Sequence, residues 1–206
     1  MYTILGAVGI WMSGDEVRAK MPSVFGKYSD TQVIVDCTEI RCQTPSSPVL
    51  QSEVYSTYKG HTTLKALIGM SPHGAVTFVS SLWTGSVTDK ELFKQCGIIP
   101  LLEEDMAVMV DKGFRIDGLV PCKVYQPPFL VGKSQLTTGE VHLTQDIAGL
   151  RVHVERINRR IKENKLFDTV VPLTIAGSIN QLFAVACLLC NYQNKALVKS
   201  WAKELN

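Results

Sequence analysis

The chain has 206 residues, 46% of them hydrophobic and 19% charged, with a formal net charge of +2. That is enough chain for one domain with a sizeable core, and too little net charge to argue for nucleic acid by itself. Six scattered cysteines do not suggest a disulfide framework and fit a reducing compartment better, and no run approaches the ~20 apolar residues needed to span a bilayer.

Taken in order, the opening MYTILGAVGIWM is apolar without preceding basic residues, so it does not read as a secretory signal. It also reads as the cut end of a longer chain. The expectation is a soluble, intracellular protein. Asp15 to Met21 predicts a short helix, Pro22 to Asp30 a loop, and Thr31 to Val35 a strand. Gln43 to Val49, with two prolines and two serines, predicts a loop. Thr62 to Met70 and Ala75 to Trp83 predict a hairpin about the turn Ser71-Pro72-His73-Gly74. Thr88 predicts the cap of a helix running to Cys96, with Glu91 completing a capping box. Met106 to Val110 is a further apolar strand, followed by a turn at Lys112-Gly113-Phe114. Residues 115–143 are irregular, with one short strand near Val124. Thr144 to Lys165 predicts a long helix whose buried stripe is Leu150, Val154, Ile157 and Ile161. A last apolar helix spans Ile179 to Tyr192, and Lys195 to Asn206 reads as an amphipathic helical tail. Cys187 and Cys190 have CxxC spacing inside an apolar run, which predicts core packing. No second CxxC or His pair stands at zinc spacing. The order predicts an α/β domain with a mixed sheet.

The stretch QVIVDCTEI raises a chemical question, because it reads as an apolar strand ending on a carboxylate, Asp36. A charge there needs a cation, a proton or hydrogen bonds. Met106 to Val110 ends the same way, on Asp111. Active sites of α/β sheets collect at the carboxyl ends of strands. A third acid, Glu155, falls off the apolar stripe of the long helix, on the side of Arg151 and Lys162. Converging carboxylates repel, and Mg²⁺ or Mn²⁺ is the usual compensation because hard cations take oxygen ligands. The bland alternatives are strand-end turn capping for Asp36 and Asp111, and pairing with Arg151 and Arg159 for Glu155. Arg151, Arg156, Arg159, Arg160, Lys162 and Lys165 give the long helix a basic surface. YSTYKGHTTLK adds Lys59 and His61, so the expected partner is the phosphate backbone of DNA.

The stretches VIVDCTEI, SEVYSTYKGHTTLKALIGMSPHGAVTFVSSLWTGSVTDKEL, MVDKGFRI and RVHVERINRRIK resemble the DDE endonuclease domain of Harbinger-type transposases and of transposon-derived animal proteins with a DCTE first motif. The resemblance runs from about residue 10 to residue 193. It implies an RNase H-like fold, a mixed five-stranded sheet flanked by helices, in which the first and fourth strands each carry a catalytic Asp. By resemblance the triad is Asp36, Asp111 and Glu155, holding divalent metal, Mg²⁺ or Mn²⁺, for cutting and joining DNA phosphodiesters. The pattern also includes Asp89 of GSVTDKE, either a first-turn helix acid or a further metal ligand. Glu39, three residues beyond Asp36, is expected on the opposite face of the strand.

The implied organisation is an extension over 1–30, the endonuclease domain over 31–193 and the helical tail over 194–206. No zinc motif or helix-turn-helix is visible, so target recognition is expected from a preceding module or from a separate DNA-binding protein. A homodimer and a nuclear location are further expectations of the resemblance. The competing reading is a domesticated domain that keeps the fold and binds DNA or protein without cutting. A haloacid dehalogenase-type phosphatase is disfavoured, because Thr38 stands where its second Asp belongs.

Overall fold

A computed structural model describes residues 9–129, 135 and 137–193. The predicted tail over 194–206 lies outside the described residues.

A mixed sheet forms the centre. The strands are β1 (Thr31–Arg41), β2 (Tyr55–Ser56), β3 (His61–Met70), β4 (Val76–Val79), β5 (Trp83–Thr84), β6 (Ala107–Met109) and β7 (Lys123–Tyr125). The helices are α1 (Gly14–Ala19), α2 (Pro48–Val54), α3 (Asp89–Gln95), α4 (Thr138–Lys162), α5 (Lys165–Asp168) and α6 (Ile179–Gln193). β3 runs antiparallel to β1, and β6 and β7 run parallel to it in the order β3-β1-β6-β7. Along the outer edge of β3, β2 pairs at His61 and Thr62, β5 at Leu64 and Lys65, and β4 from Ile68 to Met70. Laid end to end, these three short strands form one composite rank. The sheet therefore reads as five ranks, the RNase H-like arrangement.

The predicted strand Ala75 to Trp83 is broken because a serine side chain enters the ladder. Ser80 Oγ accepts from the Leu67 backbone N–H at 2.9 Å, and Ser80 N–H bonds the Leu67 carbonyl at 3.0 Å. Serine thus takes both bonds of one rung, and regular pairing stops there. β1 is longer than predicted. It continues through Asp36 because β3 supplies an unbroken antiparallel partner out to Arg41, opposite Thr63. α2 occupies residues read as loop and as unassigned sequence. It starts with Pro48 at its first turn, where proline loses no helical bond, and buries none of its residues. α4 begins six residues earlier than its apolar periodicity indicates. Thr137 and Glu140 form a capping box there, but the turns they start bury nothing until Ile147. Thr88 caps α3 as predicted, by accepting from Glu91 N–H at 3.2 Å, whereas the Glu91 carboxylate accepts from Gln95.

Alternation along β1 divides the core into two layers. Ile34 and Ile40 face a cluster with Met109 and the α4 stripe Ile147, Leu150, Val154, Ile157 and Ile161. Val33 and Val35 face the other cluster, with Leu92 and Phe93 of α3, Val108 and Phe114. Phe25 and Tyr28, from the segment before β1, are buried in the α4 layer. Cys187 is buried in α6, and every cysteine is a free thiol. Among the described residues no helix is long and apolar enough to cross a membrane.

Candidate active site

Sheet register brings two of the predicted acids together. β1 and β6 pair in parallel, with Ile34 opposite Met109 as the last rung. Two residues further along each strand stand Asp36 and Asp111. Residues at i and i+2 share a face, so both acids project from the α4 side of the sheet. Asp36 is therefore inside β1 as β3 sees it, but beyond the end of the ladder as β6 sees it. The step at the end of β6 leaves a notch beside β1, with Asp36 largely buried at its β1 side and Asp111 half-exposed at its β6 side. Asp111 also accepts from the Lys112 N–H at 2.8 Å, which shapes the turn after β6.

α4 closes the notch from above. Ile147, Leu150, Val154, Ile157 and Ile161 anchor it, and Arg151 and Asn158 lie in the same buried stripe, 6% and 7% exposed. Arg151 bridges the acids: one terminal nitrogen is 3.3 Å from Asp36 Oδ1, and the other is 3.0 Å from Asp111 Oδ1. Asn158 Nδ2 donates to Asp36 Oδ2 at 2.8 Å. Glu155 is exposed and lies about 40° round the helix from Arg151. Its charge reaches Asp36. The Asp36 carboxyl is raised overall from 3.8 to about 6: burial pushes it up most, Arg151 pulls it down, Asp111 pushes it up, Asn158 pulls it down and Glu155 pushes it up. Asp111 and Glu155 thus both act electrostatically on Asp36.

Asp89 does not join them. It begins α3 on the other face of the sheet, where its carboxylate takes a 3.0 Å bond from Lys65 Nζ. Glu39 is on that face as well, 3.6 Å from Lys65 Nζ, as strand alternation requires.

The basic residues split into groups. Arg151, expected on the DNA-facing surface, is instead buried between the two acids. Arg156 and Arg159 are exposed on α4, and Arg160 and Lys162 are half-buried. Arg159 Nε lies 3.4 Å from Glu163. Burial and the charge of Lys59 lower the pKa of Lys162, while Glu39 and Asp36 raise it, so Lys162 lies within electrostatic range of Lys59 and of both acids. Lys59 lies over the exposed ring of Tyr58. His61 Nε2 accepts from Arg41 Nε at 2.9 Å. Sequence reasoning missed Asn158, and placed Arg151 on the wrong side of the helix. The available signal was two polar residues seven apart, each next to a stripe position.

The donor chemistry suits a hard divalent cation, being all carboxylate oxygen. Three buried polar atoms around the notch also lack a partner among the described residues: Thr38 Oγ1, Arg151 Nε and Asn158 Oδ1. Most buried polar atoms in folded proteins are partnered, so these three leave bonding capacity open around the two acids. Yet among the described residues no three His, Cys, Asp or Glu side chains already surround a metal-sized position. The positive charge between Asp36 and Asp111 is supplied by Arg151.

A DDE superfamily endonuclease family matches residues 35–191, a span that contains Asp36, Asp111, Glu155, Arg151 and Asn158. The chain belongs to the DDE superfamily endonucleases. No curated protein and no solved structure matches it.

Proposed function

We propose that this endonuclease-family chain cuts DNA phosphodiesters in a divalent-metal-dependent reaction at Asp36, Asp111 and Glu155, as part of a transposase or a transposon-derived nuclease. One observation carries the reading: register places Asp36 and Asp111 side by side beyond the last β1–β6 rung, with α4 bringing Glu155 to bear on Asp36. Asp36, Asp111 and Glu155 would hold Mg²⁺ or Mn²⁺. When bound, a metal pair supplies Lewis-acid stabilisation of the phosphoryl oxygens and an activated water.

The chain's own residues supply the rest. Asp36 is fixed by the central strand and by Asn158, so its carboxylate has a set orientation. Glu155 is exposed on α4 and free to approach a phosphodiester from the open side of the notch. Lys162 is within electrostatic range of Asp36 and of Lys59, and Arg156, Arg159 and Arg160 extend the positive surface along α4. His61 belongs to the same surface at the start of β3. These residues would track the DNA backbone without reading bases. A nuclear location and a separate DNA-recognition module or protein belong to the same proposal, as does a homodimer.

The test is plasmid nicking in Mg²⁺ and in Mn²⁺ by wild type and by Asp36→Asn. The expected result is metal-dependent nicking by wild type, and loss of at least about a hundredfold in Asp36→Asn, which removes a ligand charge while keeping the shape. Nicking by folded Asp36→Asn at the wild-type rate would sink the assignment.

A further inference from the structure

We propose that Arg151 is the resident cation of the notch, displaced from Asp36 and Asp111 when a divalent metal binds, and that Asn158 is the fixed partner that keeps Asp36 aligned in both states. The inference rests on the reading of Asp36 and Asp111 as metal ligands.

The two residues divide the oxygens of Asp36. Arg151 takes Oδ1 and Asn158 takes Oδ2. Only Arg151 also reaches Asp111, so only Arg151 holds the bridging place a shared cation would hold. A guanidinium and a divalent ion cannot both take the bridging place between these carboxylates, because the two occupy the same space and like charges within a few ångströms repel. The Arg151 contacts are of the kind that exchange. At 3.3 Å the bond to Asp36 is long for a charge-assisted pair, and Nε makes no bond among the described residues. The guanidinium therefore uses its two ends and leaves its middle unsatisfied, short of the full set of bonds that would compensate its burial. The Asn158 bond is shorter, at 2.8 Å, and comes from a neutral amide that a metal has no electrostatic reason to expel.

Without a cation the notch would hold Asp36 and Asp111 as facing carboxylates with Glu155 nearby. Arg151 lets that arrangement fold before metal arrives. Its cost is competition with the metal.

The two residues predict opposite signs in one measurement, Mn²⁺ affinity of the full chain by calorimetry. Removing the competing cation in Arg151→Gln should tighten Mn²⁺ binding about tenfold or more. Removing the aligning amide in Asn158→Ala should weaken it, since partners that orient a metal ligand are worth about 10–100-fold in affinity. Arg151→Lys, which keeps a charge but cannot span both carboxylates, should fall between wild type and Arg151→Gln. If Arg151→Gln is unfolded in EDTA, recovery of its melting transition on adding Mn²⁺ supports the proposal, and failure to recover counts against it. Equal or weaker Mn²⁺ binding by both Arg151 variants overturns it. Asp36→Asn separates the two levels. If Asp36→Asn loses Mn²⁺ and the Arg151 variants bind no tighter than wild type, the ligand assignment survives and the resident-cation idea fails. If Asp36→Asn binds Mn²⁺ like wild type, both fall.

Discussion

Strand β1 carries an acid–cation cluster on each face, and each consists of two carboxylates around one buried cation. On the α3 face, Lys65 Nζ serves the Val87 carbonyl at 2.9 Å, Asp89 at 3.0 Å and Glu39 at 3.6 Å. The second oxygen of Glu39 accepts from Thr63 Oγ1 at 2.6 Å. Burial opposes the charge of Lys65, but Asp89 and Glu39 outweigh it and its pKa is raised. On the α4 face, Arg151 serves Asp36 and Asp111 and leaves Nε without a partner among the described residues. There Asp36 is pushed up to about 6. The first cluster is saturated and the second is not. A closed network stabilises a fold; an open one, set in a notch at strand ends, is equipped to take up another charge.

Breaking the closed cluster should have the largest effect on stability. Lys65→Met strands Glu39 and Asp89 without their cation. It should cost on the order of 3–5 kcal/mol, as for other half-removed buried pairs. Denaturant unfolding measures this, and nicking per folded molecule should be retained. Asp36→Asn should behave in the reverse way, with nicking lost and, at neutral pH in EDTA, a midpoint of unfolding no lower than that of wild type. A Lys65→Met protein as stable as wild type would show that the two faces do not differ as described.

Acid titration in EDTA sharpens the contrast. The folded pKa of Asp36 lies above its ordinary value, so the folded state binds the proton more tightly than the unfolded chain. Wild type should therefore gain stability as pH falls through the window from about 6 towards 3.8, and lose it again as pH rises. The gain, on the order of 1–3 kcal/mol, should be absent in Asp36→Asn. The difference between the two proteins in this window is the readout, since other groups titrate in both. A flat difference would mean that the notch is already compensated.

The outer surface should give smaller changes. Arg156→Ala with Arg159→Ala should weaken duplex binding similarly for all sequences in Ca²⁺. The log–log salt slope should flatten by about one unit per lost phosphate contact. An unchanged slope would return this face of α4 to plain solvation. Smallest of all, Arg159→Ala breaks only an exposed pair with Glu163 and should alter folding stability by less than about 0.5 kcal/mol.

Much of this was legible in the chain itself. Apolar runs located β1, β3, β6 and α6, and the 3.6-residue period located α4. Strand parity placed Glu39 opposite Asp36. The motifs around Asp36, Asp89, Asp111 and Glu155 carried the family resemblance. Elements that bury nothing were harder. α2 and the first two turns of α4 leave no apolar period, and only their proline and capping residues mark them.

What the sequence by itself determined is which residues are available: three acids at the right kinds of position, a basic helix and the family to which the chain belongs. Tertiary structure decided how they meet. Asp36 and Arg151 are 115 residues apart, and nothing local states that the bond between them forms. It follows from β6 pairing with β1 only as far as Ile34, which opens the notch, and from the rotation of α4 that its apolar stripe imposes. That rotation buries Arg151 and Asn158 along with the stripe and leaves Glu155 at its border. Local periodicity gives a side chain's face to within some tens of degrees. Whether a polar residue at that border is buried or solvated depends on which carboxylate waits on the opposing strand.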